Sequence, residues 1–145
     1  MRSSSKGFTL LEMLVVLFII SLGVTLITPR ILSGGKGSRE VAFLQGFLHT
    51  LRRASTLAIA KGKVVTFSIE PGQRTYGIEG EKSVPIPLEV EIRGEGGERL
   101  GRRFAIYFMP DGSATGAELT IRYGDRTWDL MVNPLLATVS LREVK

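Results

Sequence analysis

The chain has 145 residues, no cysteine, and 19 basic against 14 acidic side chains, for a formal charge of +5. That length suits one modest domain plus a long helix. Without cysteine, disulfide staples and an acylated lipoprotein start are excluded. The charge excess is too small to argue a nucleic-acid partner by itself.

Arg2 and Lys6 lie in a short polar leader that ends in Gly7. From Phe8 to Ile27 run twenty residues in which Glu12 is the one charge. As a helix this run is roughly 30 Å long, at about 1.5 Å per residue, which is the hydrocarbon thickness of a bilayer. The basic leader predicts a cytoplasmic start, with everything after Ile27 across the membrane. A cleaved signal peptide fits worse, since its apolar part is usually about 7–15 residues and ends in a small-x-small site. Thr28-Pro29-Arg30-Ile31 is no such site. A carboxylate in a lipid-like segment costs about 2.5–3.5 kcal/mol at a helix centre and less near an interface. Something should therefore compensate Glu12.

The residues Gly7-Phe8-Thr9-Leu10-Leu11-Glu12 closely resemble the processing site of type IV prepilins and type II secretion pseudopilins. The resemblance implies cleavage after Gly7 by a prepilin peptidase and N-methylation of Phe8. It also gives Glu12 an assembly role, because the new ammonium at Phe8 can pair with Glu12 of a neighbouring subunit. In a low dielectric such a pair attracts strongly, and an unpaired member is costly. Pro29 falls where many pilins carry a helix-kinking proline. The competing reading is a signal-anchor helix whose Glu12 snorkels to the headgroups, which gives no reason for the Gly-Phe junction. Loss of the leader with Arg2 and Lys6 would leave 17 basic against 14 acidic side chains.

Along the chain, 1–7 reads as leader and 8–30 as the transmembrane half of the N-terminal helix. Residues 31–62 read as a kink followed by an amphipathic half. Pro29 and Ser33-Gly34-Gly35-Lys36-Gly37-Ser38 supply the interruption, with Ser38 placed to cap a restarted helix. From Arg39 to about Ala60, Val41, Leu44, Leu48, Leu51, Ser55 and Ala58 form one face with Phe47 beside them. Gln45, His49, Arg52, Arg53 and Thr56 form the other, and Lys61-Gly62-Lys63 ends the helix.

Residues 63–145 read as a β-rich head. A hairpin of 63–70 and 74–79 turns at Pro71-Gly72, and further strands are expected over 88–93, 103–109, 118–123, 127–132 and 138–144. Gly94-Glu95-Gly96-Gly97, Pro110-Asp111-Gly112 and Gly124-Asp125 are turn signals. The predicted fold class is α+β, a long N-terminal helix packed on an antiparallel β-sandwich-like head. Leu51 to Phe67, Phe108 to Gly116 and Trp128 to Leu135 resemble the GspH/FimT group of minor pseudopilins and minor pilins. One departure is Leu135-Leu136-Ala137-Thr138, where that group often has Leu-Thr-Gly and a basic residue.

The resemblance implies a structural subunit of a type II secretion pseudopilus, tip-proximal, anchored in the inner membrane with its head in the periplasm. Its expected partners are other pseudopilins or pilins, prepilin peptidase, and membrane lipid along residues 8–27. The alternative is a FimT/FimU-like minor pilin of a type IV pilus that takes up DNA. No catalytic residue, metal or cofactor is expected. His49 is the one histidine, and no nucleophile elbow, zinc motif or phosphate loop is present. Asp111, Asp125 and Asp129 are too scattered for a calcium loop. Arg122, Arg126 and Arg142, with Arg99, Arg102 and Arg103, form the basic residues that could contact DNA. Interspersed Glu98, Glu118, Asp125 and Glu143 favour a solvated face instead, and Trp128 and Phe108 are expected in the core rather than stacked on bases.

Overall fold

The computed structural model describes residues 10–32 and 36–144. Two compact units divide between Val41 and Ala42. The first holds α1 (Leu10–Leu32) and the opening residues of α2 (Lys36–Lys61). An interruption beginning at Pro29 is not seen: helical backbone runs through Pro29 to Leu32 and is present from Lys36, so Ser38 lies inside α2 and does not cap it. A proline near a helix end removes one backbone bond without stopping the turns already formed. Gly37 in a helix costs only about 1 kcal/mol relative to alanine. Ser33, Gly34 and Gly35 lie outside the described residues.

In the second unit, α2 turns a regular stripe inward: Leu44, Phe47, Leu51, Ala54 and Ala58. Phe43 is buried beside them, whereas Val41 is 48% exposed and Ser55 half-buried. Expected and observed faces both alternate steps of three and four and share Leu44, Leu51 and Ala58; they differ in phase, with Phe47 and Ala54 fully buried where Leu48 and Ser55 were expected. The helix closes on Gly62 (φ 61°), with the Gly62 N–H donating to Ile59 O at 3.3 Å and the Lys63 N–H to Ala58 O at 3.3 Å. That pair of bonds satisfies carbonyls a helix end would otherwise leave bare.

Among the described residues nine strands follow: β1 (Val65–Glu70), β2 (Thr75–Ile78), β3 (Val84–Pro85), β4 (Val90–Gly96), β5 (Glu98–Leu100), β6 (Arg103–Phe108), β7 (Ala117–Tyr123), β8 (Arg126–Val132) and β9 (Val139–Val144). The order is β3-β2-β1-β6-β5 in a five-stranded sheet and β4-β7-β8-β9 in a four-stranded one, all pairs antiparallel. The sequence had implied seven strands. β3 and β5 are too short to show an alternation, and Gly94 and Gly96 belong to β4, not to a free turn.

One core joins the helix to both sheets. Alternation puts Phe67 and Ile69 of β1 on the same face as Tyr76, Ile78, Phe104 and Ile106 of the neighbouring strands. The α2 stripe meets that face through rings: Phe47 lies 5.4 Å from Phe67 and 4.7 Å from Tyr76, centroid to centroid. Phe43 reaches Tyr123 of β7 at 6.3 Å. Leu119, Ile121, Leu130 and Val132 close the core from the four-stranded sheet. Phe108 is fully buried as expected, but Trp128 is half-buried, with the Arg126 guanidinium 5.2 Å from its ring centre.

Candidate functional site

The expected site begins at the leader, and Gly7 and Phe8 lie outside the described residues. Glu12 stands in the first described turn of α1. Around it the side chains from Leu10 to Ser21 are all exposed, with Leu10 at 82% and Leu17 at 65%. A helix apolar on every side has no wet face, so it calls for lipid or other helices around it. Among the described residues no helix is long and apolar enough to cross a membrane. The crossing expected over 8–27 extends beyond them, through Phe8, Thr9 and the side chains after Ser21. Pro29 has its backbone in the last turn of α1.

The arginines of the head lie on more than one face. The Gly124-Asp125 turn places Tyr123 opposite Arg126. Arg126 therefore shares the inner face with Tyr123, Trp128 and Leu130, while Arg122 and Arg142 point to the solvent face. Carboxylates also engage two of them: Arg122 Nη2 is 2.9 Å from Glu91 Oε2, and Arg126 Nη2 is 2.7 Å from Glu143 Oε1. Across the sheet Arg142 stands opposite Asp129. On the outer face of the other sheet, Arg103 lies 3.4 Å from Glu79 and 3.8 Å from Glu70. Exposed pairs of this kind contribute little stability, but they lower the field a phosphate chain would meet.

The remaining polar features are structural. Asp111 Oδ1 accepts from the Ser113 N–H at 3.0 Å and from the Ser113 hydroxyl at 2.6 Å. Those two bonds hold the Asp111 carboxyl below the usual carboxylate range and close the Pro110-Asp111-Gly112 turn. Burial pushes the Tyr76 phenol above its ordinary value, opposed by its bond with Thr50. His49 is exposed on α2. Among the described residues no three His, Cys, Asp or Glu side chains gather as a metal would need.

The prokaryotic N-terminal methylation motif matches residues 2–28. The type II secretion system protein H of Xanthomonas campestris pv. campestris is 32% identical over 130 residues, spanning 88% of this chain and 77% of that protein. The chain belongs to the type II secretion system protein H family. A similar fold is seen in the minor pseudopilin EpsH from the type 2 secretion system of Vibrio cholerae. Its TM-score to this chain is 0.54 at 16% identity, over 68% of this chain and 92% of that one. The type IV minor pilin FimU of Pseudomonas aeruginosa is less similar, with a TM-score of 0.49 at 11% identity over 68% and 88%.

Proposed function

We propose that this member of the protein H family is a minor pseudopilin, a non-enzymatic structural subunit of a type II secretion pseudopilus placed near its tip. A prepilin peptidase cuts between Gly7 and Phe8, Phe8 is N-methylated, and the run over 8–27 anchors the chain in the inner membrane with the head in the periplasm. The ammonium of Phe8 then pairs with Glu12 of the adjoining subunit, which sets the axial register of the filament. Nucleic acid is not a partner in this reading, since Arg122 and Arg126 face opposite sides of their sheet and each already holds a carboxylate.

The observation that carries the proposal is the joint one: a methylation motif over residues 2–28 ahead of a chain related along most of its length to a type II secretion protein H. The test is co-expression with an active prepilin peptidase and intact-mass measurement. The expected product begins at methylated Phe8, and Gly7→Val should leave the leader attached by adding bulk beside the scissile bond. A different mature start, or an uncut chain beside a cut control pilin, would refute it.

A further inference from the structure

β4 is an edge strand, and its free side opens onto a trough walled by the end of β1 and by β5 and β6. The trough consists of two adjoining cavities of about 220 and 360 Å³ that share Ile69, Pro71, Ile92 and Arg93. Its floor is apolar, with Ile69, Ile86, Val90 and Phe104 all buried. Its charge is one-sided. Arg74, Arg93, Arg99, Arg102 and Arg103 line it against Glu91 and Glu95; Glu91 is held by Arg122 on the outer face, and Arg103 is shared with Glu70 and Glu79, which leaves four arginines against Glu95. Arg93 and Arg102 make no hydrogen bond or ion pair to any other described residue.

The backbone of β4 is handled in an unusual way. Arg74 Nη2 donates to Val90 O at 2.9 Å and to Pro87 O at 2.6 Å, and Arg99 Nη2 donates to Gly94 O at 2.7 Å. Peptide groups of alternate residues in a strand point to opposite edges. With the carbonyls of Val90 and Gly94 turned to the free side, the N–H and C=O of Ile92 face it too, between the two guanidinium caps. Arg74, which ends the turn between β1 and β2, has a left-handed backbone (φ 51°), a conformation that costs a non-glycine residue about 1–2 kcal/mol.

We infer that this edge is a docking site for an extended acidic segment of a partner protein, added as a further strand beside β4. A neutral strand that took the carbonyls of Val90 and Gly94 would displace Arg74 from the first and Arg99 from the second, and would offer neither guanidinium a charged acceptor in return, which is unfavourable. A segment carrying carboxylates gives the displaced guanidinium groups, and the unengaged Arg93 and Arg102, new partners. Its backbone pairs with Ile92, and its inward apolar side chains settle on Ile69 and Phe104. The same arginines that shield the edge from unspecific pairing thus select the occupant.

The test uses the full chain in non-ionic detergent and a short fluorescent peptide alternating glutamate with valine, set against its lysine–valine counterpart. Anisotropy should show saturable binding of the acidic peptide, at least about tenfold tighter than the basic one and weakening with added salt. Arg93→Glu with Arg102→Glu should cost at least about tenfold, and Arg93→Gln with Arg102→Gln should cost less in the same direction. Arg142→Glu, on the outer face, should leave affinity unchanged. On saturation, hydrogen exchange at the Ile92 amide should slow. Equal binding of the two peptides, indifference to the Arg93/Arg102 variants in a chain that still melts cooperatively, or an unprotected Ile92 amide would overturn the inference. So would displacement of the acidic peptide by duplex DNA or phosphatidylglycerol vesicles. None of these readouts depends on leader cleavage or on secretion.

Discussion

Gly97, between β4 and β5, offers a sharp test of how the two sheets are held together. Its φ is 59°, and a Cβ placed there would lie 2.7 Å from Phe104 Cζ and 2.9 Å from the carbonyl oxygen of Ala105. The ring is buried and the oxygen belongs to the backbone of β6, so neither yields easily. Gly97→Ala should pay about 1–2 kcal/mol for the left-handed backbone and a further 1–3 kcal/mol, roughly, for the overpacking. Gly101 is the matched control: its φ is 65°, and a Cβ there would meet nothing within 4 Å. Gly101→Ala should therefore pay the backbone term alone. The head holds the single tryptophan, half-buried Trp128. Its fluorescence during denaturant unfolding of the full chain in detergent reads the difference between the two variants. At about 4–8 °C per kcal/mol for a small domain, Gly97→Ala should also melt well below Gly101→Ala. Equal stabilities of the two variants would mean that Phe104 and Ala105 do not constrain that position, and the packing argument would fail.

Three other outcomes are expected. Glu12→Ala should still insert, since a desolvation cost is removed, yet fail to co-purify with other pilin-like subunits from membranes; undiminished co-purification would refute the pairing with Phe8. Tyr76 is raised by burial, so its contribution is complete below its ordinary value of 10.0 and is lost as pH climbs through the higher folded value. An alkaline unfolding titration should show that loss in the wild type and a reduced one in Tyr76→Phe. Asp111 is depressed by Ser113, so its contribution is present above the ordinary carboxylate range and is lost as pH falls through the lower folded value. In Ser113→Ala the Asp111 carboxyl should titrate closer to that range, as followed by NMR of its side-chain carbon.

Much of the architecture was legible because punctuation residues do specific jobs. Gly62 ends α2 with a positive φ, and Pro71-Gly72 and Gly124-Asp125 sit at hairpin turns. Gly94 misled for the same reason. Glycine reads as a turn, but here it sits within β4 because a Cβ would come 2.7 Å from the Phe104 ring. Only the packed sheets supply that constraint. The inward stripe of α2 was displaced at Val41 and Ser55 because steps of four and steps of three both look helical over a short window. Which face each arginine takes is set by register, which the sequence does not show. In a two-residue hairpin the residues flanking the turn face the same way, so Arg126 follows Tyr123. The trough along β4 was hidden because it depends on strand order, which brings residues 69, 92 and 104 to one place. The Gly7-Phe8 junction, in contrast, is a local chemical pattern and needs no fold to be read.

The pairing of β1 with β6 has a consequence for how the head comes into being. Val65 stands opposite Phe108, and Phe43 of α2 meets Tyr123, so the first-made parts of the head wait for the last. A growing chain emerges N-terminus first. It presents Phe43, Phe47 and Phe67 before β6 and β7 exist to cover them. The meander β7-β8-β9 closes on its own neighbours through short turns, a fast local event. Loop closure over the segment between β1 and β6 is the slower step. A chain stopped short of β7 lacks Tyr123 against Phe43 and the Leu119 and Ile121 side of the core, so part of the apolar surface of α2 and the first sheet stays uncovered.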